Sequence, residues 1–186
     1  MSVHPQKHHF SVDEYYRMAQ AGVFSEDDRI ELIEGEVVEI SPIGKRHAAC
    51  VRRLDRILQR GIGELAIVSV QAPISIHDFS EPQPDVAMLT PRADFYSNAH
   101  PTPQDVLVII EVADTSLDYD RNVKIPLYAL AEIPEAWLIV LAKDVIEIYS
   151  EPKNGKYQTV RRLKRGKKLT SATINGLTLS VNDILG

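Results

Sequence analysis

Two acidic residues, Asp85 and Glu111, have the setting that chemistry requires. Glu111 follows Val106-Leu107-Val108-Ile109-Ile110, an apolar run without alternation. Such a run suits a central strand covered on both faces. A carboxylate at the end of a buried strand is costly unless it is paired or bound to a metal. Asp85 comes directly after Pro84, whose ring fixes the backbone leading into the short strand Asp85-Val86-Ala87-Met88-Leu89. If the two strands pair, both carboxylates reach one rim of a sheet. Two hard oxygen ligands there suit Mg²⁺ or Mn²⁺, with water and a substrate phosphate completing the shell.

Three further residues could join them. Lys124 sits on a helix after Glu111, four residues beyond Asp120 and four before Tyr128. A lysine beside metal-bound carboxylates could orient an attacking water or stabilise a pentavalent phosphate. On spacing alone, Asp120 and Lys124 read instead as a surface i,i+4 pair. Glu31 lies in the otherwise apolar Ile30-Glu31-Leu32-Ile33, and alternation puts it on the face opposite Ile30 and Leu32. That face is either the site or solvent, while Glu34 and Glu36 beside Gly35 read as solvated. His47 opens a basic helix and reads as a cap or surface residue. The functional alternative is substrate contact by His47 together with Arg46 and Lys45.

The elements that must position these residues follow from pattern. Ser11 before Val12-Asp13-Glu14 is an N-cap signal for a helix reaching about Gln20 and stopping near Gly22. Residues 29–33 and 36–40, joined at Gly35, read as a hairpin. Apolar Val51, Leu54, Ile57, Leu58 and Ile62 have helical spacing, with arginines on the other face. Leu65 to Ile76 reads as one bent or two short strands around Pro73. A helix from Asp120 to about Ala131 precedes strands over 136–141, 145–149 and 157–163, and 176–181 could add one more. The order predicts an α/β fold, a mixed sheet flanked by a few helices, in a single domain.

Composition bounds the rest. The chain has 186 residues, 44% hydrophobic and 25% charged, which is ordinary for a globular core. No apolar run is long enough to span a bilayer. The first ten residues carry three histidines and no apolar stretch of the secretory kind. Cys50 is the only cysteine, which excludes an intramolecular disulfide and suits a reducing cytoplasm. Net charge is −5, yet Lys153 to Lys168 holds eight Lys or Arg and no acid. A second basic stretch runs over Lys45, Arg46, Arg52, Arg53, Arg56 and Arg60. These could form a local phosphate-binding face or simply a solvated surface.

Taken together, the spaced blocks resemble a family. Arg29-Ile30-Glu31-Leu32-Ile33-Glu34-Gly35-Glu36-Val37, then Ser41-Pro42 and His47, resembles the opening signature of the Uma2 family of restriction-endonuclease-like proteins. Pro84-Asp85-Val86, then Glu111-Val112 with Ser116, Asp120, Lys124 and Tyr128, then Pro134-Glu135-Ala136-Trp137 are similar to its later blocks. The likeness covers about residues 10 to 150. It implies the PD-(D/E)XK nuclease fold, a restriction-endonuclease-like mixed β-sheet flanked by α-helices; residues 1–9, before the likeness begins, are expected to form a flexible tail. It implies Asp85 and Glu111 as Mg²⁺ (or Mn²⁺) ligands, Lys124 as the catalytic lysine and Glu31 as an additional acid. The superfamily's lysine lies two residues after the second carboxylate, where this chain has Ala113, so Lys124 would reach back from the next helix.

Three functions are compatible with this pattern. A metal-dependent endonuclease acting on nucleic acid, most naturally DNA, fits the resemblance, and a homodimer would let it cut both strands. A non-catalytic module binding nucleic acid or protein fits the acidic sequence pI of about 5.7. A carboxylate-pair glycosidase would want an aromatic cleft. Aromatics are only 6%, with one Trp inside a strand.

Overall fold

The run Val106–Ile110 forms the middle of a six-stranded mixed sheet in the computed structural model, which describes residues 7–25, 28–40 and 43–186. In chain order the elements are α1 (Val12–Gln20), the hairpin β1 (Ile30–Ile33) and β2 (Glu36–Glu39), α2 (Lys45–Ile62), β3 (Ile67–Val70), β4 (Val86–Leu89) and β5 (Val106–Ala113). Then come α3 (Leu117–Tyr119), a π-helical turn over Asp120–Lys124, α4 (Ile125–Leu130), β6 (Glu135–Val140), β7 (Val145–Lys153) and β8 (Lys156–Lys164). The short strands β9 (Lys168–Thr170) and β10 (Thr178–Ser180) precede α5 (Val181–Leu185). The large sheet runs β3-β4-β5-β6-β7-β8; β5 and β6 are parallel and every other neighbour antiparallel.

β5 is apolar on both faces because both faces are covered. Val108, Ile110 and Val112 pack with Cys50, Leu54 and Leu58 of α2 and with Ile184 of α5. Ile109 and Ala113 point the other way, to Ile125 and Tyr128 of α4. Glu111 alternates with Ile109 and Ala113, so its side chain emerges on the α4 face. The apolar stripe of α2 (Cys50, Val51, Leu54, Leu58, Ile62) is buried, as its spacing predicts. Leu54 and Leu58 are wholly buried, and each contributes about 1.5–3 kcal/mol of transfer free energy.

Some elements differ from the sequence reading. β5 continues two residues past Glu111, so the carboxylate lies within the strand rather than at its end. Strand pairing in the 65–76 region is confined to β3; Gln71 takes a left-handed φ of 49° and ends it. Ile74 and Ser75 then bond to loop carbonyls of Pro82 and Pro101. β9, which begins on the last residue of the basic run, has no pattern of its own and is specified by its partner β10. Lys7 to His9, expected in a flexible tail, lie against the first hairpin, where the His9 ring meets the Glu34 carbonyl at 2.6 Å. Ser41-Pro42 and the first six residues lie outside the described residues. Among the described residues, no helix is long and apolar enough to cross a membrane.

Candidate functional site

The antiparallel register of β4 and β5 sets Val86 opposite Ile110, which brings Asp85 beside Glu111. The Val112 amide donates to Asp85 Oδ2 at 2.9 Å, and the Asp85 amide makes a long 3.4 Å contact with Glu111 Oε2. The loop side chain of Gln71 reaches Asp85 Oδ1 at 3.3 Å. From the start of α2, His47 Nε2 lies 2.9 Å from Asp85 Oδ2.

Glu31 arrives on a separate hairpin. Glu34 and Gly35 have φ of 51° and 77°, and Ile33 pairs with Glu36 across them. That is the left-handed two-residue turn whose twist suits a hairpin. Gly35 is also obligatory for space, since a Cβ there would lie 2.5 Å from the His9 Cβ. The hairpin is stitched down by Glu81 N–H to the Leu32 carbonyl (2.8 Å) and Gly35 N–H to the Phe79 carbonyl (2.7 Å). Glu31 is thereby 1% exposed. Its Oε1 accepts from the Gln83 amide at 3.1 Å and from Lys124 Nζ at 3.0 Å.

Lys124 occupies the centre. Its ammonium lies 3.0 Å from Glu31 and 2.9 Å from Glu111 Oε1, and Tyr128 donates its hydroxyl to the same Glu111 oxygen at 2.5 Å. The surface pair of Asp120 with Lys124 expected from spacing does not form. The segment between them is a π-turn in which Ile125 N–H bonds to the Asp120 carbonyl. Pro126 supplies a physical reason: it has no N–H to donate, and its ring would clash with the carbonyl four residues back in a regular α-helix. The widened turn buries both side chains. Asp120 accepts instead from Ser116 Oγ at 2.5 Å.

Burial and charge act against each other here. Burial pushes the Glu111 carboxyl up to about 8, with Lys124 pulling down without cancelling it. Burial disfavours the Lys124 ammonium, but Glu111 and Glu31 more than compensate and hold its pKa above the ordinary lysine value. Asp85 is shifted below the ordinary range, because its bonds to His47 and Val112 outweigh burial. Burial raises Asp120 and raises Tyr128 strongly, so Tyr128 is a hydrogen-bond donor.

Glu31, His47, Asp85, Glu111, Asp120 and Lys124 line a cavity of about 330 Å³ together with Arg29, Glu39, Asp114, Ser116 and Tyr119. Among the described residues, no three His, Cys, Asp or Glu side chains form a ready metal cluster. The cavity offers instead the pair Asp85 and Glu111, each with one lightly engaged oxygen: Asp85 Oδ1 and Glu111 Oε2. Glu31 Oε2 is buried and accepts no hydrogen bond. Two hard oxygen donors facing a cavity with room for several waters suit an ion that keeps part of its hydration shell, as Mg²⁺ does.

Of the residues singled out from sequence, Asp85, Glu111, Lys124, Glu31 and His47 come together. Lys45 is exposed, and Arg46 donates to the Leu141 carbonyl at 2.8 Å; neither lines the cavity. The basic Lys153–Lys168 segment lies on the β7–β8 edge of the sheet and beyond, also away from the cavity lining. Gln71 joins the site with no sequence signal, through a left-handed residue at the end of a strand.

The family model described as "Putative restriction endonuclease", Uma2, matches residues 12–182. Among solved structures the chain is similar to the crystal structure of "a putative nuclease belonging to DUF820 from Anabaena variabilis ATCC 29413". The TM-score is 0.71 at 15% identity, covering 95% of this chain and 97% of that one. The mixed sheet with flanking helices is therefore the fold of that nuclease-like structure. No curated protein matches the chain.

Proposed function

The chain belongs to the Uma2 family, and we propose that it is a divalent-metal-dependent nuclease that hydrolyses phosphodiester bonds of nucleic acid, DNA being the expected form. One observation carries this reading: two adjacent strands and a π-turn converge Asp85, Glu111 and Lys124 in one cavity. Asp85 and Glu111 would hold Mg²⁺ or Mn²⁺, which when bound supplies Lewis-acid polarisation of a phosphoryl group and a more acidic water.

The chain's own groups do the rest. Lys124 keeps its ammonium charge and would place it where negative charge develops on the phosphoryl oxygens. Its lateral freedom is removed by Glu31 on one side and Glu111 on the other. Tyr128 and the lysine share one Glu111 oxygen, which leaves the second directed elsewhere. His47 and the Val112 amide fix the orientation of Asp85 in the same way. The attacking water bonds to phosphorus as the bond to the leaving sugar oxygen breaks, and that oxygen takes up a proton. Exposed Lys153, Lys156, Arg161 and Lys164 would contact the backbone of a long substrate, with steep loss of binding as salt rises. Cleavage of both strands of a duplex would call for two copies, and β3 and β8 are the edge strands free to pair.

Titration calorimetry with Mg²⁺ and Mn²⁺, comparing wild type with Asp85→Asn, tests the metal, and cleavage of labelled oligonucleotides tests the reaction. The wild type should bind the ion and cleave. The variant should fold with an unchanged far-UV spectrum, lose the ion, and cleave at least about a hundredfold more slowly. Equal cleavage by the variant, or no cleavage of DNA or RNA by the wild type, defeats the reading.

A further inference from the structure

Three buried side-chain atoms among the described residues have no hydrogen-bond partner: Glu31 Oε2, His47 Nδ1 and the hydroxyl of Tyr119. All three residues line the same cavity. A buried hydroxyl without a partner costs about 1–3 kcal/mol, so such atoms are rare in a settled interior and concentrate where a ligand completes them. Glu31 belongs to the carboxylate cluster already described, and His47 is committed through its other nitrogen to Asp85. Tyr119 has no such assignment.

Its position is specific. Tyr119 ends α3, one residue before the π-turn that carries Asp120 and Lys124. Burial raises its pKa to about 12, and the charges that act on it are Glu31, Lys124, Asp120 and Glu111. Tyr119 lines the cavity beside the carboxylate cluster, and its hydroxyl remains a protonated, neutral donor. The surrounding lining is rich in acids: Glu31, Glu39, Asp85, Glu111, Asp114 and Asp120. Those residues offer a polyanion only acceptors. A phosphate entering this cavity depends on the few donors present, and Tyr119 is one whose hydrogen has no partner in the protein.

We propose that Tyr119 is a substrate-binding residue whose hydroxyl donates a hydrogen bond to a phosphate oxygen of the nucleic-acid strand lying in the cavity. The inference rests on the nuclease reading and adds a residue to it. It also explains why the hydroxyl is tolerated: its cost falls on the free protein and is relieved on binding, so it acts in the complex rather than in folding.

Tyr119→Phe removes that one oxygen and nothing else. Three measurements are compared with wild type: thermal melting of the free protein, Mn²⁺ binding by calorimetry, and binding of a labelled single-stranded oligonucleotide by anisotropy with Ca²⁺ in place of Mg²⁺. The variant should melt at the same or a higher temperature and bind Mn²⁺ equally. It should bind the oligonucleotide about tenfold more weakly, the size expected for one hydrogen bond to a charged group. Cleavage should show a raised KM with a smaller change in kcat. Equal oligonucleotide affinity in the two proteins overturns the proposal while leaving the nuclease reading intact. A lowered melting temperature with unchanged affinity assigns the hydroxyl a structural partner such as water and also overturns it. If wild type binds neither metal nor oligonucleotide, both readings fail together.

Discussion

Glu111 and Glu135 stand on adjacent parallel strands, both out of solvent, and have been buried in opposite ways. Glu135, at the head of β6, is 0% exposed. Its Oε1 accepts from Trp137 Nε1 at 2.7 Å; its Oε2 accepts from Ser171 Oγ, the Ala172 amide, the Thr173 amide and Thr173 Oγ1, all within 3.1 Å. Every donor is neutral, and together they clasp the 171–173 turn that leads into β10 against the sheet. Glu111 has two donors on one oxygen and a single 3.4 Å contact on the other, and it faces a cavity. The first carboxylate is spent on the fold. The second is held in place but left incomplete, which suits it to the metal-binding role proposed above.

Isosteric amides separate the two most sharply. In Glu135→Gln, an amide N–H₂ must face either Trp137 or the four donors of the turn, leaving donors opposed in a sealed interior. Urea unfolding should show a loss of about 3–5 kcal/mol. In Glu111→Gln, the remaining carbonyl can still accept from Tyr128 and Lys124, Glu31 remains as the counter-charge of Lys124, and burial already penalises the ionised acid. Its stability should change by less than about 1 kcal/mol, while metal binding is lost. Equal destabilisation of the two variants would remove the distinction between them.

The same contrast explains what could be read from sequence. Asp85 and Glu111 were legible because each breaks a local rule: an acid behind five apolar residues, and an acid fixed by a preceding proline. Glu135 also precedes buried residues, but four of its five donors come from a turn some 36 residues on, which no local pattern reports. Lys124 was misread by spacing because i,i+4 reasoning assumes an α-helix, and Pro126 opens the turn into π geometry. Apart from its place in the family-like opening block, His47 read as a cap or surface residue; its position beside Asp85 is conferred by the N-terminal end of α2. The main strands were legible as apolar runs, but their order in the sheet was not; β9 and the loop after Gln71 likewise depend on tertiary partners that periodicity does not carry.

A smaller effect tests how the hairpin delivers Glu31 to the incomplete site. Gly35→Ala forces a side chain into a left-handed position and onto His9. The cost should be about 1–3 kcal/mol, seen as a drop of several degrees in Tm. Because Glu31 rides on that hairpin, Lys124 should also lose part of its restraint, and the rate of cleavage should fall more than the affinity for metal. A variant with wild-type Tm would show that the turn is free to reshape.

The smallest effect concerns Glu147, a third buried acid that lies between the two extremes. It is satisfied by two cations, Arg121 at 3.1 Å and Arg162 at 2.8 Å, and by the neutral Tyr149 hydroxyl at 2.7 Å. Burial raises its pKa, but Tyr149, Arg162 and Arg121 together bring it below the ordinary glutamate value. A depressed folded-state pKa means that ionised Glu147 contributes stability above the unfolded-state value, about 4.3. That contribution fades as pH falls through the folded-state value. Wild type should therefore lose stability in acid below about pH 4.3 more steeply than Glu147→Gln, with the two curves differing by a constant at neutral pH. Arg121 belongs to the π-turn that carries Lys124, so the variant should slow cleavage modestly at neutral pH while leaving Mn²⁺ affinity unchanged. Parallel acid-unfolding curves for the two proteins would show that this pair of arginines screens the carboxylate without stabilising the fold, and that Lys124 is positioned by Glu31 and Glu111 alone.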